Sequence, residues 1–477
     1  MRILHTSDWH LGRTFHGRVL DDAHAAFADH LVELIATESV DAVLVAGDVY
    51  DRAIPPNDAV ALLDETLRRL TERTRVVLTP GNHDSARRLG FAADLMREGL
   101  IIRARTAGLD RGIILPDADG TEAAIVHALP YLDPDAAREI LPSLLAERLG
   151  EETPAKHTAG EDQDENRDAS SQPVRPERPR LPRSHEAVVS AALRLVAADL
   201  DRLRAGRSRR LPSLLMAHAF VVGGEACESE RDIRVGGVDS VPSGVFTTLG
   251  GSPLAERSGG LDYVALGHLH RPQELTRPTG PRLVYSGSPL AERSGGLDYV
   301  ALGHLHRPQD LTRPAGPRLV YSGSPLPFSF DEAEGARNSA TKSSVLLDLS
   351  ADGVAGLERI PTPVLHQVRT LTGTMPELLS PAFDDATGAW VRVILQGERP
   401  PGALATLKER FPSLLAFQHE APTRTARERI AVTAAADPLR ITEDFFDDVC
   451  GRAPEPSERG VLRSAYESAL ASAKSER

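Results

Sequence analysis

The chain has 477 residues, more than one typical domain holds, so we expect roughly two or three domains. Its formal net charge of -13 argues mildly against a protein that binds nucleic acid unaided, because such proteins usually carry a basic surface. The two cysteines, Cys227 and Cys450, imply neither a disulfide framework nor a cysteine-based zinc site. No apolar stretch of about 18 residues and no leader-like N-terminus is present, so we expect a cytoplasmic protein.

Five apolar runs each end at residues that can bind metal ions. They are RILHTSDWH (residues 2–10), AVLVAGD (42–48), RVVLTPGNHD (75–84), LLMAH (214–218) and DYVALGHLH, which occurs twice. Such runs are typical of buried strands in a sheet that is covered on both faces. Ligands bind outside the carboxyl ends of such strands. The candidate ligands at that edge are Asp8, His10, Asp48, Asn82, His83, His218 and a Gly-His-Leu-His pair.

Helical patterns separate the strand-like runs. The first helix has the apolar positions Ala23, Phe27, Leu31, Leu34 and Ile35. In the second, we expect Asn57 to be the N-cap and Val60, Leu63, Leu67 and Leu70 to share one face. This alternation of strands and helices predicts an α/β fold, with a sheet between helices.

A polar, proline-rich segment from residue 150 to 184 is nearly free of apolar residues and predicts a disordered insertion. After it, a helix is expected with Val188, Ala191, Leu195, Leu200 and Leu203 on its apolar face, ahead of the strand that ends at His218.

A tandem duplication follows. Residues 251–286 and 287–322 are identical except at Glu274/Asp310 and Thr279/Ala315, and two copies are too few for a solenoid. The first copy carries His268 and His270, the second His304 and His306, and one metal site can use only one pair. We favour His304 and His306, because the first copy then becomes an insertion in a loop before the strand, which costs little.

The region after residue 344 begins with the strand SVLLDL. Between residues 361 and 425, WVRVIL predicts a strand and ALATLKERF a short helix, which together suggest a small α+β domain. Two helical pieces follow, one with Phe445, Phe446 and Val449 on its apolar face, the other with Val461, Leu462, Tyr466 and Leu470. These helices either pack on their own domain or dock on a partner.

The donor set predicts two divalent metal ions. Oxygen ligands mixed with imidazole suit Mn²⁺, Fe or Zn²⁺ better than Ca²⁺. We expect Asp8 and His10 to alternate at a strand end and so to point into one site, and Asp48, exposed by the turn at Gly47, to bridge both metals. Two metals clamp the attacking and leaving oxygens of a phosphoryl displacement. His83 is then placed to protonate the leaving oxygen or to stabilise its charge, and Asp84 to orient His83.

The ordered set D-x-H, GD, GNHD, H and GHxH resembles the calcineurin-like metallophosphoesterase superfamily. The segments HTSDWHLGR (5–13), GDVYDR (47–52), PGNHDS (80–85), ALGHLHRPQ, YSGSPLPFSFDE and ITEDFFDDVCGR (441–452) resemble its SbcD nuclease family more closely. The resemblance covers most of the chain, apart from the polar insertion and the extra copy.

The resemblance implies a four-layer sandwich of mixed sheets flanked by helices in residues 1–350. It also implies a small α+β capping domain in 361–435 that contacts DNA, and a helical tail in 440–477 that docks on an ATPase subunit. By position, Asp8, His10, Asp48 and His306 would hold one metal, and Asp48, Asn82, His218 and His304 the other, with His83 as the catalytic histidine. Mn²⁺ is the implied metal, with Mg²⁺ as the alternative.

The implied activity is an ATP-dependent 3′-to-5′ double-strand exonuclease and a single-strand and hairpin endonuclease, acting with an SbcC-like coiled-coil ATPase in DNA repair and recombination. A small-molecule phosphatase or cyclic-nucleotide phosphodiesterase would need the same metals, but it would need neither the cap nor the tail. A non-catalytic scaffold, spoiled by the duplication, is a third interpretation, against which the intact Asp8, Asp48 and His83 argue.

Overall fold

A computed structural model describes residues 1–96, 99–150, 180–219, 241–242, 244–255, 263–265, 299–302, 309–310, 318–332, 342–421, 437–450 and 452–475. The chain divides into two compact units, Met1–Glu420 and Ala421–Arg477.

The described strands, in chain order, are β1 (Arg2–Thr6), β2 (Thr14–Phe15), β3 (Arg18–Val19), β4 (Ala42–Ala46), β5 (Arg75–Thr79), β6 (Leu100–Ile102), β7 (Ile113–Pro116), β8 (Glu122–Ala128), β9 (Ser213–Ala217), β10 (Tyr263–Ala265), β11 (Tyr299–Leu302), β12 (Gln309–Asp310), β13 (Arg318–Tyr321), β14 (Ser343–Ser350), β15 (Gly353–Pro361), β16 (Val368–Gly373), β17 (Trp390–Gln396) and β18 (Leu414–Glu420). The described α-helices are α1 (Asp21–Thr37), α2 (Asn57–Thr71), α3 (Ala86–Leu89), α4 (Pro134–Leu149), α5 (His185–Arg204), α6 (Gly244–Thr247), α7 (Met375–Leu378), α8 (Ala403–Arg410), α9 (Pro438–Cys450) and α10 (Pro456–Ser475).

The first sheet has the strand order β15-β14-β1-β4-β5-β6. The last four strands run parallel, while β14 runs antiparallel to β1 and β15 antiparallel to β14. The parallel strands are short apolar runs, and every residue of β4 is buried. Because Thr6 pairs with Val45 and Ala46 with Thr79, the loops that follow β1, β4 and β5 leave the sheet at the same edge.

The second sheet has the order β12-β13-β11-β10-β9-β8-β7 and faces the first. An apolar layer fills the space between the sheets, with Leu44 and Val77 from one side and Val126 and Met216 from the other. Helices α1 and α2 cover the outer face of the first sheet, and α4 and α5 that of the second. The four layers confirm the predicted α/β sandwich of mixed sheets flanked by helices.

Two helices match their sequence patterns and one differs. All five apolar positions predicted for α1 are buried, and so are four of the five predicted for α5. In α2, however, Pro56 precedes the first turn and Asn57 is already helical, so Asn57 is not the cap. Val60 is also 44% exposed rather than packed, because α2 buries a narrower stripe that contains Leu63 and Leu70.

The end of the polar segment differs from the predicted disordered insertion. Leu181 is buried in the core under α4 and α5, and its amide donates to the carbonyl of Arg138. Arg183 forms a bidentate pair with Asp135 at 2.6 Å. The last residues of the segment therefore belong to the fold, because one apolar side chain and one ion pair bring the chain back; residues 151–179 lie outside the described part.

Each copy of the duplication contributes a strand to the second sheet. Strand β10 comes from the first copy and β11 from the second, and Ala265 and Ala301 both pair with Met216 of β9. The expectation that the first copy is only a loop insertion is therefore wrong, because its apolar run pairs with β9 directly. The four candidate ligands His268, His270, His304 and His306 lie outside the described residues.

A third sheet, β16-β17-β18, is parallel and has α7 and α8 beside its own apolar core. The predicted strand WVRVIL lies in β17 and the predicted helix in α8. Trp390 of this sheet stacks on Phe15 with ring centroids 5.5 Å apart, and the Arg392 guanidinium lies 5.3 Å from the ring centre of Phe330. The small domain therefore rests on the β2–β3 hairpin and on the segment before β14.

The second unit contains α9 and α10. The two helices are joined by an ion pair between Arg459 and Glu443 at 3.2 Å. Phe445 and Val461, which were predicted on the two apolar faces, are 67% and 68% exposed. Among the described residues, no helix has the length and apolar character needed to cross a membrane.

A buried polar contact ties α5 to the second sheet. The Asp199 carboxylate pairs with the ring of His127 at 3.0 Å, and it also accepts hydrogen bonds from the Gly112 amide and the Arg202 side chain. Burial alone would raise the pKa of Asp199, but these hydrogen bonds outweigh it and lower the pKa to about 2.

Because the folded-state pKa of Asp199 lies below its ordinary value, its contribution to stability is present above about pH 4 and lost as the pH falls towards about 2. We expect Asp199→Asn to lower the free energy of unfolding by roughly 1–2 kcal/mol at pH 6 and by less at pH 3. Urea unfolding at both pH values measures this, with Asp352→Asn in an exposed turn as the control. A loss of equal size at both pH values would contradict the assignment.

Candidate metal centre

The loops after β1 and β4 lie side by side at the carboxyl edge of the first sheet. The Asp8 amide donates to the Gly47 carbonyl at 3.0 Å, and the His10 amide donates to the Asp48 carbonyl at 3.0 Å. Both loops thus continue the pairing of the strands and bring three predicted ligands to one point.

Three of the predicted ligands have left-handed backbone conformations. The φ angles are 55° at Asp8, 47° at His10 and 50° at Asp48. Asp and His adopt this region more readily than most residues, but it is still unfavourable, and such residues cluster at functional sites. Asp8 and His10 therefore do not alternate along a strand as expected, because β1 ends at Thr6 and the left-handed turns aim both side chains.

Two glycines allow the loops to approach each other closely. Gly47 has a φ of 88°, and a Cβ there would collide with the ring of His218. A Cβ on Gly81 would collide with the Asp48 carboxylate. The glycines that begin the GD and GNHD motifs, Gly47 and Gly81, are therefore required by the packing of the site itself.

Asp48 lies at the centre and is fully buried. Its Oδ2 is 3.4 Å from Nε2 of His218 and 3.8 Å from Nε2 of His10. Its Oδ1 accepts a hydrogen bond of 2.8 Å from the His83 amide. One carboxylate therefore faces imidazoles from two sides, as a bridging ligand would.

His218 is held in an orientation that suits a metal ligand. Its Nδ1 lies 3.1 Å from the Ala46 carbonyl, an acceptor to which Nδ1–H donates. Its Nε2 then faces Asp48 and the side-chain oxygen of Asn82, which is 2.9 Å away. Three electron-rich atoms in one place need a cation between them. Burial alone would lower the pKa of His218, but the Asp48 charge outweighs it and raises the pKa to about 9, so a proton can take that place.

The ligand atoms form two groups. Asp8, Asp48 and His218 make one, and His10, Asp48 and His83 the other; within each group the atoms lie within 4.8 Å of one another. Asp48 belongs to both, in agreement with the bridging role expected of it. The grouping otherwise differs from the expected one, because Asp8 lies with His218 rather than with His10.

The charge of the site also fits divalent cations. Burial raises the pKa of Asp8 well above its ordinary value, and the nearby Asp48 carboxylate raises it further. Two carboxylates buried together are costly unless positive charge compensates them. Carboxylate, amide oxygen and imidazole donors are those that Mn²⁺ and Zn²⁺ accept, so the residues fit a metal pair.

His83 is positioned by a group that the sequence did not single out. Its Nδ1 lies 2.8 Å from the Asp51 carbonyl, and the ring packs edge-on to His10 with centroids 4.7 Å apart. Asp84, expected to orient His83, does not contact its ring. The Asp84 carboxylate instead accepts from the amides of Val49, Tyr50 and Gly81, because the turn closes around it, and burial raises its pKa to about 7.

The segment before β14 forms another wall that the sequence did not predict. The Phe328 ring packs edge-on to His10 at 5.2 Å, and the Phe328 amide donates to Glu332. Glu332 pairs with Lys342 at 2.6 Å, with both side chains almost fully buried. The available signal was weak: Lys342 stands just before an apolar strand, and its neighbours in sequence are threonine and serine.

We predict that Gly47→Ala weakens Mn²⁺ binding at least tenfold, because the new methyl group displaces the His218 ring and strains the turn. Gly17→Ala is the matched control: its φ is 82°, but nothing lies within 4 Å of the new Cβ. Calorimetric titration with Mn²⁺ and urea unfolding of both variants separate the two effects. Equal losses in both variants would show that backbone strain alone is responsible.

We predict that Lys342→Met lowers the free energy of unfolding by about 3 kcal/mol, because it leaves the buried Glu332 charge without its cation. The double variant Glu332→Gln/Lys342→Met removes the charge as well and is expected to lose less than the single variant. Urea denaturation compares them. A double variant as unstable as the single one would show that charge burial is not the cause.

Comparison with known proteins agrees with this geometry. The calcineurin-like phosphoesterase family matches residues 1–121. A Rhodobacter capsulatus protein, named as the SbcD subunit of the nuclease SbcCD, is 38% identical over 287 residues, which are 58% of this chain and 59% of that protein. The Escherichia coli K12 protein of the same name is 32% identical over 274 residues, 57% of each chain. The matched part is thus less than two thirds of the length of these relatives.

A solved structure, the protein TT1561 of Thermus thermophilus, aligns with 76% of this chain and 98% of its own, at 13% identity and a TM-score of 0.31, which is too weak a likeness to describe the fold. The sequence matches and the metal centre agree. Residues 1–121 match the calcineurin-like phosphoesterase family, and over more than half of its length the chain is similar in sequence to proteins named as SbcD subunits of SbcCD nucleases.

Proposed function

We propose that the chain is a two-metal-dependent DNA nuclease subunit. The observation that carries the proposal is the buried Asp48 carboxylate, which belongs to two groups of metal-ligand atoms at the carboxyl edge of a phosphoesterase sheet. Two adjacent metal sites bridged by one carboxylate are typical of enzymes that hydrolyse phosphate esters.

We assign the metal ligands to Asp8, His10, Asp48, Asn82 and His218, completed by His304 and His306 or by their duplicates His268 and His270. Mn²⁺ is the proposed ion, with Mg²⁺ as the alternative. When bound, the ions supply an activated water and neutralise charge on the phosphate. The protein contributes the buried, rigid setting: Asp48 is fixed by the His83 amide, and His218 by the Ala46 carbonyl.

His83 is the proposed general acid. Its Nδ1 is held by the Asp51 carbonyl, and its Nε2 has no hydrogen-bond partner among the described residues. The ring is nearly buried beside His10, so Nε2 is oriented without being used by the fold. A histidine in this position can hold a proton at Nε2 and give it to the leaving oxygen of the cleaved phosphodiester.

The rest of the chain favours DNA and a partner over a small substrate. The sheet β16-β17-β18 rests beside the segment that forms the site's wall, and residues 361–435 are the proposed DNA-contacting cap. The exposed Phe445 and Val461 in the tail at 440–477 suit docking on a second protein. Because the relatives are named as a subunit of the nuclease SbcCD, an SbcC-like ATPase is the proposed partner.

We propose the activities of an ATP-dependent 3′-to-5′ double-strand exonuclease and a single-strand and hairpin endonuclease for that complex. The second candidate is a small-molecule phosphatase or cyclic-nucleotide phosphodiesterase, since the metal centre alone would serve either. Incubation of the chain with blunt duplex DNA, hairpin DNA and a cyclic nucleotide, with and without the ATPase, decides between them.

We expect His83→Ala to retain Mn²⁺ and its fold. Its rate of Mn²⁺-dependent DNA cleavage is expected to fall by a factor of about 10² to 10⁴, because the general acid is gone. Hairpin cleavage on gels, with metal analysis of the same protein, measures both. His30→Ala, on α1, is the control. Undiminished cleavage would remove His83 from the mechanism, and loss of the metal with the activity would make it a ligand instead.

A further inference from the structure

A cavity of about 340 Å³ opens between the segments that leave β5 and β6. Three arginines and one aspartate line it, Arg103, Arg105, Arg111 and Asp94; the other lining residues are glycines, alanines and an isoleucine. The metal ligands do not line it, so the metal centre does not account for it.

Among the residues that the structure describes, the cavity lining carries more positive than negative charge. Arg105 and Asp94 pair at 2.7 Å and cancel each other at the exposed rim. Arg103 and Arg111 make no side-chain hydrogen bond or ion pair with any residue that the structure describes, and the Nε atom of Arg103 is buried without a partner. Burial and the nearby Arg111 charge lower the pKa of Arg103, and the opposing effect of the Asp94 charge is smaller. A bound anion would relieve the desolvation and the repulsion together.

The cavity lies at the same sheet edge as the metal centre. Arg103 directly follows β6, and β4, β5 and β6 are parallel neighbours, so the ends of β4 and β6 are separated by ~10 Å. Helix α3 begins after Ser85, beside the GNHD turn, and ends at Gly90 on the cavity wall. A helix of this length spans about 6 Å.

Guanidinium groups recognise phosphate in particular, because their N–H donors match its oxygens in pairs. We propose that Arg103 and Arg111 bind a backbone phosphate of the DNA strand, near the phosphate that is cleaved at the metal centre. This inference rests on the proposed nuclease function.

The test is the binding of a fluorescent 12-nucleotide single strand, measured by anisotropy in EDTA so that no cleavage occurs. Arg103→Gln/Arg111→Gln is expected to raise Kd about tenfold. The slope of log K against log[salt] is expected to fall in magnitude by about 0.7, the value for one lost phosphate contact on a single strand. Arg359→Gln is the matched control, an exposed arginine on β15 at the opposite edge of the same sheet, and is expected to change neither quantity.

A second variant keeps both arginines. Ala107→Glu, at an exposed position on the cavity rim, places a carboxylate within reach of the guanidinium groups and is expected to weaken oligonucleotide binding to a similar degree. If the double arginine variant fails to fold, this variant still tests the inference.

Hydrolysis of bis(p-nitrophenyl) phosphate with Mn²⁺ separates this inference from the proposed function, because this substrate is too small to reach the cavity. Its kcat/KM is expected to stay within twofold in the double variant. A wild-type chain that cleaves neither this substrate nor hairpin DNA refutes the nuclease proposal. If the wild type is active but both variants keep its oligonucleotide Kd and salt slope, the inference is overturned. This holds even if the variants lose binding of inorganic phosphate, since the cavity would then hold a free anion and not DNA.

Discussion

The burial of Asp48 is the constraint on which the rest of the site depends. A carboxylate with no exposed surface, facing a second buried carboxylate at Asp8, is unfavourable unless cations or protons compensate it. The surrounding residues are arranged to meet that need: the ring of His218 is fixed on one side and that of His10 on the other. The left-handed backbone at Asp8, His10 and Asp48 is the cost of holding these charges together.

The fold delivers these groups through parallel strands that end in register. Each loop at the carboxyl edge adds one or two donors, and the second sheet adds His218 from β9. The wall is closed by the segment before β14, where the buried Glu332–Lys342 pair holds the chain and Phe328 reaches His10. The neighbouring Phe330 contacts the small domain, so the site and the small domain share one short stretch of chain.

Much of the site could be predicted from the sequence, because a ligand after each apolar run needs only the rule that parallel strands end at one edge. That rule brought Asp8, Asp48 and His218 together correctly. It could not predict the left-handed backbone conformation of Asp8, since such turns produce no periodic pattern in the sequence. The role expected of Asp84, to orient His83, was wrong for another reason: the amides of Val49, Tyr50 and Gly81 meet its carboxylate only when the turn is folded. The order of β10 and β11 in the second sheet could not be predicted either, because the two copies have identical strand sequences and neither is favoured as the neighbour of β9.

The two copies of that segment meet the sheet at the same place: Ala265 and Ala301 both pair with Met216. Removal of any 36 consecutive residues that start within the first copy restores a single uninterrupted copy, because the sequence is the same on both sides of the junction apart from two positions. A shortened descendant of this chain would therefore have no scar at the join, and its remaining strand would still have Met216 as its neighbour.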